Sequence, residues 1–236
     1  MVPNLRPDRS ILAGVPLFAG LDPAACDDVL AAAHIRRVVK GDPVFEQGAE
    51  ANAFFVLVDG HLKAVQSTPS GHQVVVHVIN PGEFFGCVVL MGQTHYPATA
   101  LAVRDSIALS WDVATLRRLL ERHPAIATNA LAGIGTRLQD AQSRFRELST
   151  ERVERRIAHA LLRLVRHAGK KIEGGVEIDF PITRQDVAEM TGATLHTVSR
   201  TLSKWEGEGI LDGGRQKIVV RQPHLLVAIA EELEDR

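Results

Sequence analysis

The stretch from Thr183 to Gly209, TRQDVAEMTGATLHTVSRTLSKWEGEG, leaves a chain few ways to fold. Thr183 can N-cap a first helix, and Asp186, three residues later, can close a capping box although Asp is shorter than the usual Glu or Gln. Gly192 stops that helix. Ala188, one turn earlier, is small enough to let a second helix cross closely, with Val187 facing inward beside it. Thr194 caps the second helix, along which Val198, Leu202 and Trp205 follow spacings of four and three and form one apolar stripe. Two capped helices joined through a small-residue turn make a helix-turn-helix.

The opposite face of the second helix is polar. It carries His196, Ser199, Arg200 and Ser203, with Thr197 and Lys204 as further candidates for DNA contact. The residues nearest the N-terminus are the ones that meet base edges in such a motif. Arg200 suits guanine, because a forked guanidinium can bond O6 and N7 together where a Lys ammonium cannot. Lys204 suits a phosphate.

TLHTVSR, followed by Trp205-Glu206 and Gly209-Ile210-Leu211, resembles the winged-helix end of the Crp/Fnr superfamily of bacterial transcription regulators. Many members carry Glu-Thr-Val-Ser-Arg at this point. The resemblance implies that Ser199 and Arg200 read bases. His196 stands where the family Glu accepts from a cytosine amine, so the neighbouring base pair stays open. It further implies an inverted-repeat operator in double-stranded DNA, with TTG half-sites mirrored by CAA, and RNA polymerase as a partner.

A formal charge of −1 argues against a binder that works by charge alone, so specificity has to come from a locally basic face. With 236 residues and 45% apolar content the chain can build one large or two modest cores. Cys26 and Cys87 are too few for a disulfide framework or for a four-cysteine iron–sulfur cluster in a single chain, and none is expected. Near the N-terminus, Pro3, Arg6, Pro7, Asp8 and Arg9 interrupt any apolar run, so neither a signal peptide nor a membrane span is expected and the reading is cytoplasmic.

Upstream of the motif, a short helix around Ile11 and a helix capped by Asp22 and Pro23, ending near Ala33, precede a change of pattern. From His34 to Trp111 come short β-like runs, IRRVV, AFFVLVD, HLKAVQS, QVVVHVI and SIALSW, separated by turn chemistry at KGDP, DG, TPSG and NPG. That punctuation suggests a jelly roll or small barrel. Asp112 can cap a helix through Leu120. After Pro124, the residues Ala127, Leu131, Ile134, Leu138, Ala141, Phe145 and Leu148 alternate spacings of four and three. A seam of that length suits a two-stranded coiled coil, so a homodimer through Leu131, Ile134, Leu138, Ala141, Phe145 and Leu148 is expected. Ser149 to Ala168 reads as a further amphipathic helix and VEIDFPI as a strand. Two apolar runs around Asp212-Gly213-Gly214 read as a hairpin wing, and a last helix starts after Pro223.

The expected fold class is therefore α+β. By resemblance, residues 1–123 form a cyclic-nucleotide-binding-type jelly roll, residues 124–148 a dimerisation helix and residues 149–236 a winged-helix DNA-binding domain. In members that bind cyclic nucleotides, a glycine and a ribose-binding Glu precede an Arg-Ser pair. Here Gly86 keeps the glycine, but Cys87 replaces the Glu and Tyr96-Pro97 replaces Arg-Ser, so a cyclic phosphate loses its charge-assisted partner. The segment YPATALAV resembles the branch that responds to nitric oxide and controls denitrification, whose members are thought to use haem. That resemblance implies haem as a cofactor without naming an axial ligand. A regulator gated by a cyclic nucleotide or another small molecule is the alternative. A cupin-like metal enzyme is a further one, but His72 and His77 are five apart in a strand-like run and point to opposite faces. No Ser-His-Asp, Walker or HExxH pattern is present.

Overall fold

The computed structural model describes residues 8–232. Two 3-10 turns, Arg9–Ile11 and Pro16–Phe18, lead into α1 (Pro23–Ala31). The Asp22 carboxylate caps α1 by accepting the Ala25 N–H at 2.7 Å. Trp111, fully buried, donates from its indole to the Val29 carbonyl at 2.9 Å and meets Phe18 edge-on, which ties this N-terminal segment to the barrel.

Eight strands follow: β1 (His34–Val38), β2 (Pro43–Phe45), β3 (Ala53–Asp59), β4 (Leu62–Ser67), β5 (Gln73–Ile79), β6 (Phe84–Phe85), β7 (Thr99–Ala102) and β8 (Ser106–Asp112). They form two four-stranded sheets in the orders β1-β8-β3-β6 and β2-β7-β4-β5. The core between them holds Phe54, Leu57, Leu62, Leu109 and Trp111. The runs with clear alternation match β1, β3, β4, β5 and β8. The short strands β2, β6 and β7 have too few residues for a period-two pattern and are defined by their partners across the sheet.

Asp112 caps α2 (Val113–Arg122) by accepting the Thr115 N–H at 2.7 Å. After it, α3 (Pro124–Thr150) runs unbroken past the expected end of the seam. Ser149 and Thr150 donate their hydroxyls to the carbonyls of Phe145 and Arg146, one turn back, and so belong to α3; α4 begins only at Val153 and ends at Ala168. Contacts divide the described residues into two compact units, 8–65 with 77–139 and 66–76 with 140–232. The dividing line falls inside α3 and not at its start, and the β4–β5 tip groups with the second unit.

In the second unit, β9 (Gly169–Ile172) and β10 (Gly175–Ile178) precede α5 (Arg184–Thr191) and α6 (Leu195–Gly207). After these come β11 (Leu211–Gly214), β12 (Lys217–Val220) and α7 (Pro223–Glu231). The sheet order is β11-β12-β10-β9. Ile157, Leu161, Val187, Val198, Leu202, Trp205 and Leu226 are buried together in this unit's interior. The wing turn differs from the expectation. Asp212, Gly213 and Gly214 are paired strand residues opposite Val219, Ile218 and Lys217, and the chain reverses at Arg215–Gln216, with Gln216 left-handed at φ 60°. Gly213 serves packing instead of turning, because a Cβ there would lie 2.1 Å from a Glu206 carboxylate oxygen. Among the described residues no helix is long and apolar enough to cross a membrane.

Candidate functional site

Local side-chain chemistry builds the helix pair as read from sequence. The Thr183 N–H donates to Asp186 at 2.8 Å and the Asp186 N–H donates to the Thr183 hydroxyl at 3.0 Å, a complete capping box. Gly192 closes α5 at φ 62°, and the Thr194 hydroxyl accepts the Thr197 N–H at 3.2 Å to open α6. Val198, Leu202 and Trp205 are buried, so α6 is held by its apolar stripe and shows its other side to solvent.

The six expected DNA contacts separate into two groups. His196 and Arg200 are exposed, and neither they nor the Ser199 hydroxyl have a hydrogen-bond or ion-pair partner among the described residues. The other three are engaged within the protein. The Thr197 hydroxyl lies 2.9 Å from that of Thr194, Ser203 accepts from Arg184 at 3.0 Å, and Lys204 pairs with Glu154 at 3.1 Å, which makes its ammonium harder to deprotonate. Arg184 and Glu206 are the pair that sequence reasoning missed. Arg184, the first residue of α5, donates to both Glu206 carboxylate oxygens at 2.9 Å and to the Ser199 carbonyl at 3.2 Å. One guanidinium nitrogen thus spans both carboxylate oxygens while the other bonds α6 at Ser199 and Ser203, which ties α5 to α6, and the same Glu206 carboxylate lies against Gly213 of the wing strand. The only sequence signal was an Arg directly after a cap and a Glu 22 residues on, which no local periodicity links.

In the sensor unit, Gly86 is left-handed at φ 69°, and a Cβ on it would come within 3.0 Å of the Phe55 ring and 3.1 Å of the Ala53 carbonyl. Tyr96 converges on the same residue. Its phenol donates to the Ala53 carbonyl at 2.8 Å and accepts the Ala53 N–H at 3.1 Å, and its ring stacks on Phe45 at 3.7 Å. Burial pushes the phenol above its ordinary pKa, against the backbone hydrogen bonds at Ala53 and Asn52. Cys87, partly buried, opens the 3-10 turn Cys87–Met91 beside Gly86, whereas Pro97 is exposed. Phe55 stacks on Phe85 at 5.0 Å, so the sensor's own rings fill the space around Gly86 and Tyr96. As arranged, Gly86, Cys87, Tyr96 and Pro97 do not form a haem pocket. The aromatic stack takes the room a flat macrocycle needs, and His72, His77, His95 and His123 bond to Ser70, Glu83, Thr94 and Asp28. Nor are His72 and His77 a ligand pair, because their rings are committed to different neighbours.

The seam on α3 lies largely open. Leu131, Leu138 and Phe145 are 71%, 59% and 73% exposed, and Ala127 and Ala141 are exposed as well. Ile134 differs, being half-buried against the sensor's own core. Leu148 has a neighbour in its own chain: a Cβ on Gly192 would sit 3.2 Å from its Cδ2.

Comparison with known proteins follows this anatomy. Residues 35–123 match the cyclic nucleotide-binding domain family and residues 155–229 the Crp-like helix-turn-helix domain family. A cyclic AMP receptor protein of Thermus thermophilus is 31% identical over 217 residues, spanning 92% of this chain and 97% of that one. The chain belongs to the Crp/Fnr family. As a Crp/Fnr regulator it is a DNA-binding transcription factor and not an enzyme. It is also similar, at 23% identity over 82% of its length and 77% of the relative, to the fumarate and nitrate reduction regulatory protein of Salmonella typhimurium. The structure of FixK2 from Bradyrhizobium japonicum has the same fold, with a TM-score of 0.74 at 23% identity over 84% of this chain and 96% of that one.

Proposed function

We propose that this Crp/Fnr regulator is a homodimer that binds an inverted repeat with TTG and CAA half-sites. Its sensor answers nitric oxide or a related nitrogen oxide and not cyclic AMP. The observation that carries the DNA reading is the exposed guanidinium of Arg200, without a partner among the described residues, beside His196 and the Ser199 hydroxyl, on the open end of a helix whose other side is buried. The dimer reading rests on the exposed leucines and phenylalanine of α3, an apolar stripe that water solvates poorly and a second copy would cover. A two-fold dimer presents its reading helices about one helical turn of DNA apart, which is why the operator should be a repeat. RNA polymerase is the partner that a regulator of this kind would engage.

The nitrogen-oxide signal rests on the likeness of YPATALAV and TLHTVSR to that branch of the family. The argument against cyclic AMP rests on chemistry: Cys87 supplies no carboxylate for a ribose, and Tyr96 and Pro97 supply no cation for a phosphate. The Tyr96 ring, moreover, is stacked into the sensor's interior. A nucleotide-gated regulator is the second reading, favoured by the match of residues 35–123 to the cyclic nucleotide-binding family and by the name of the Thermus relative. Operator binding by the purified protein decides between them, measured with nitric oxide, with haem and nitric oxide together, and with cyclic AMP. An affinity change with nitric oxide alone or with haem supports the proposal. Enhancement by cyclic AMP alone would replace it with the second reading.

A further inference from the structure

One carboxylate oxygen in the sensor has two basic neighbours from different elements. Glu83, in the turn between β5 and β6, meets the His77 imidazole of β5 at 2.7 Å, and the Arg137 guanidinium of α3 lies 3.9 Å from that same Oε2. The other oxygen of Glu83 accepts from the Asn80 amide at 2.9 Å. The three charged side chains are each about a quarter exposed, so their interaction is only partly screened by water. Arg137 is also the residue by which α3 grips the sensor here, because its guanidinium donates to the Phe84 carbonyl and sits over the Phe84 ring. Gly133, one turn earlier, gives that ring its room. Two further charges lie on the elements that flank this group, Lys63 on β4, next to β5 in the sheet, and Asp140 on α3.

We propose that His77 is a proton-operated release for α3: once protonated, its imidazole replaces Arg137 as the counter-charge of Glu83 and loosens the sensor's grip on the helix. A neutral imidazole donates one N–H to Glu83 and leaves the charge of the carboxylate to the guanidinium. A protonated one is a second cation within 4 Å of the same oxygen, so the two cations compete for it and repel each other. Histidines commonly take up their proton between about pH 5 and 8. Burial works against the charge of Glu83, but His77, Asn80 and Arg137 hold its carboxyl below the ordinary 4.5, so it is still ionised there. The bond to the Phe84 carbonyl and the contact with its ring remain, and α3 is loosened without being freed. On its other face α3 carries the exposed seam. In the homodimer proposed above, on which the effect on DNA rests, a looser grip alters how that seam is presented and with it operator affinity.

The test uses the full chain and follows hydrogen exchange, by mass spectrometry, of the α3 peptide that spans Gly133 to Arg137. His77→Gln keeps a neutral N–H donor for Glu83 and leaves that peptide unchanged, so the ratio of the two proteins' rates cancels the intrinsic pH dependence of exchange. The rates should be equal at about pH 7.5, and at about pH 5.5 the wild type should exchange roughly threefold faster, the size of one partly exposed charge pair. Linkage requires the reciprocal effect: in Arg137→Gln the pH at which the His77 ring signals titrate by NMR should rise by about 0.5, the same threefold in proton affinity. That measurement decides the matter should His77→Gln fail to fold. Equal exchange of the two proteins at both pH values, or a His77 titration that Arg137→Gln does not move upward, overturns the proposal. Operator affinity should change more between the two pH values in the wild type than in His77→Gln, since His196 and the remaining histidines are common to both. Exchange that responds while operator affinity changes equally in the two proteins overturns the regulatory role. Absence of inverted-repeat binding at either pH counts instead against the proposed operator, and the exchange and titration results then decide the release by themselves.

Discussion

At the scale of single residues, what matters at the DNA face is which side chains are left free. Among the described residues Arg200 has no partner and can offer its whole fork to a guanine, whereas Lys204 must first leave Glu154. Arg200→Ala should lose about 1–3 kcal/mol per half-site, mostly as relaxed preference at the guanine, as measured by binding titrations on single-base operator variants. A second residue-scale prediction concerns Glu83. Burial works against its charge, but His77 at 2.7 Å, Asn80 at 2.9 Å and Arg137 together outweigh burial and hold the carboxyl below its ordinary pKa of 4.5. A carboxyl with a lowered folded pKa contributes stability that is present above the unfolded value and lost as pH falls through the folded one. The melting temperature should therefore drop as pH is taken below about 4.5, and Glu83→Gln, though less stable at neutral pH, should show a shallower drop. An equally steep acid limb in the variant would count against the network.

At the scale of elements, α3 does two jobs with different faces. One face packs on the sensor: the Phe84 ring lies so near Gly133 that a Cβ would come within 2.6 Å of it. One turn on, the Arg137 guanidinium sits 4.3 Å above the same ring and donates to the Phe84 carbonyl. Further along, Glu147, almost fully buried, takes two hydrogen bonds from Arg163 of α4 at 2.6 and 2.9 Å, while Arg144 donates to the Val76 carbonyl. The other face carries the exposed seam. Since Leu138 is 59% exposed, Leu138→Glu should leave the protomer folded and, in the proposed dimer, place two carboxylates face to face across the seam. Sedimentation equilibrium should then find a monomer. A dimer of unchanged strength would move the interface away from α3.

At the scale of the whole molecule, a regulator works only if its effector binds one arrangement of the dimer better than another. A tenfold change in operator affinity needs about 1.4 kcal/mol of differential binding. In the proposed regulator the reading helix contributes sequence preference and the seam sets the half-site spacing. In this proposal the signal acts through the sensor's aromatic core, where Tyr96, Phe45, Phe55 and Phe85 are packed ring on ring. A ligand entering there has to move rings, and cyclic AMP would have to do so without a cation for its phosphate. Nitric oxide should therefore shift operator affinity while cyclic AMP leaves it unchanged, read by fluorescence anisotropy of a labelled operator.

The sequence by itself determined the features that depend on residues within about two turns of one another. The Thr183 capping box, the Gly192 stop, the Thr194 cap, the buried stripe of α6 and the open seam of α3 are all of this kind, since i, i+3 and i+4 neighbours and nearby backbone groups settle them. Only the tertiary structure decided what depends on partners far along the chain. Glu206 lies 22 residues from Arg184 and Glu154 lies 50 from Lys204, so no local pattern could say that Ser203 and Lys204 are engaged while Arg200 has no partner among the described residues. The same holds for Tyr96, which bonds to Ala53 across 43 residues, and for β2, β6 and β7, which exist because other strands pair with them. Gly213 looked like a turn residue because glycine is common in turns; it is in fact the gap that receives the Glu206 carboxylate. Helices carry their hydrogen bonds within themselves and so can be read locally, whereas sheets and ion pairs are settled only when distant segments meet.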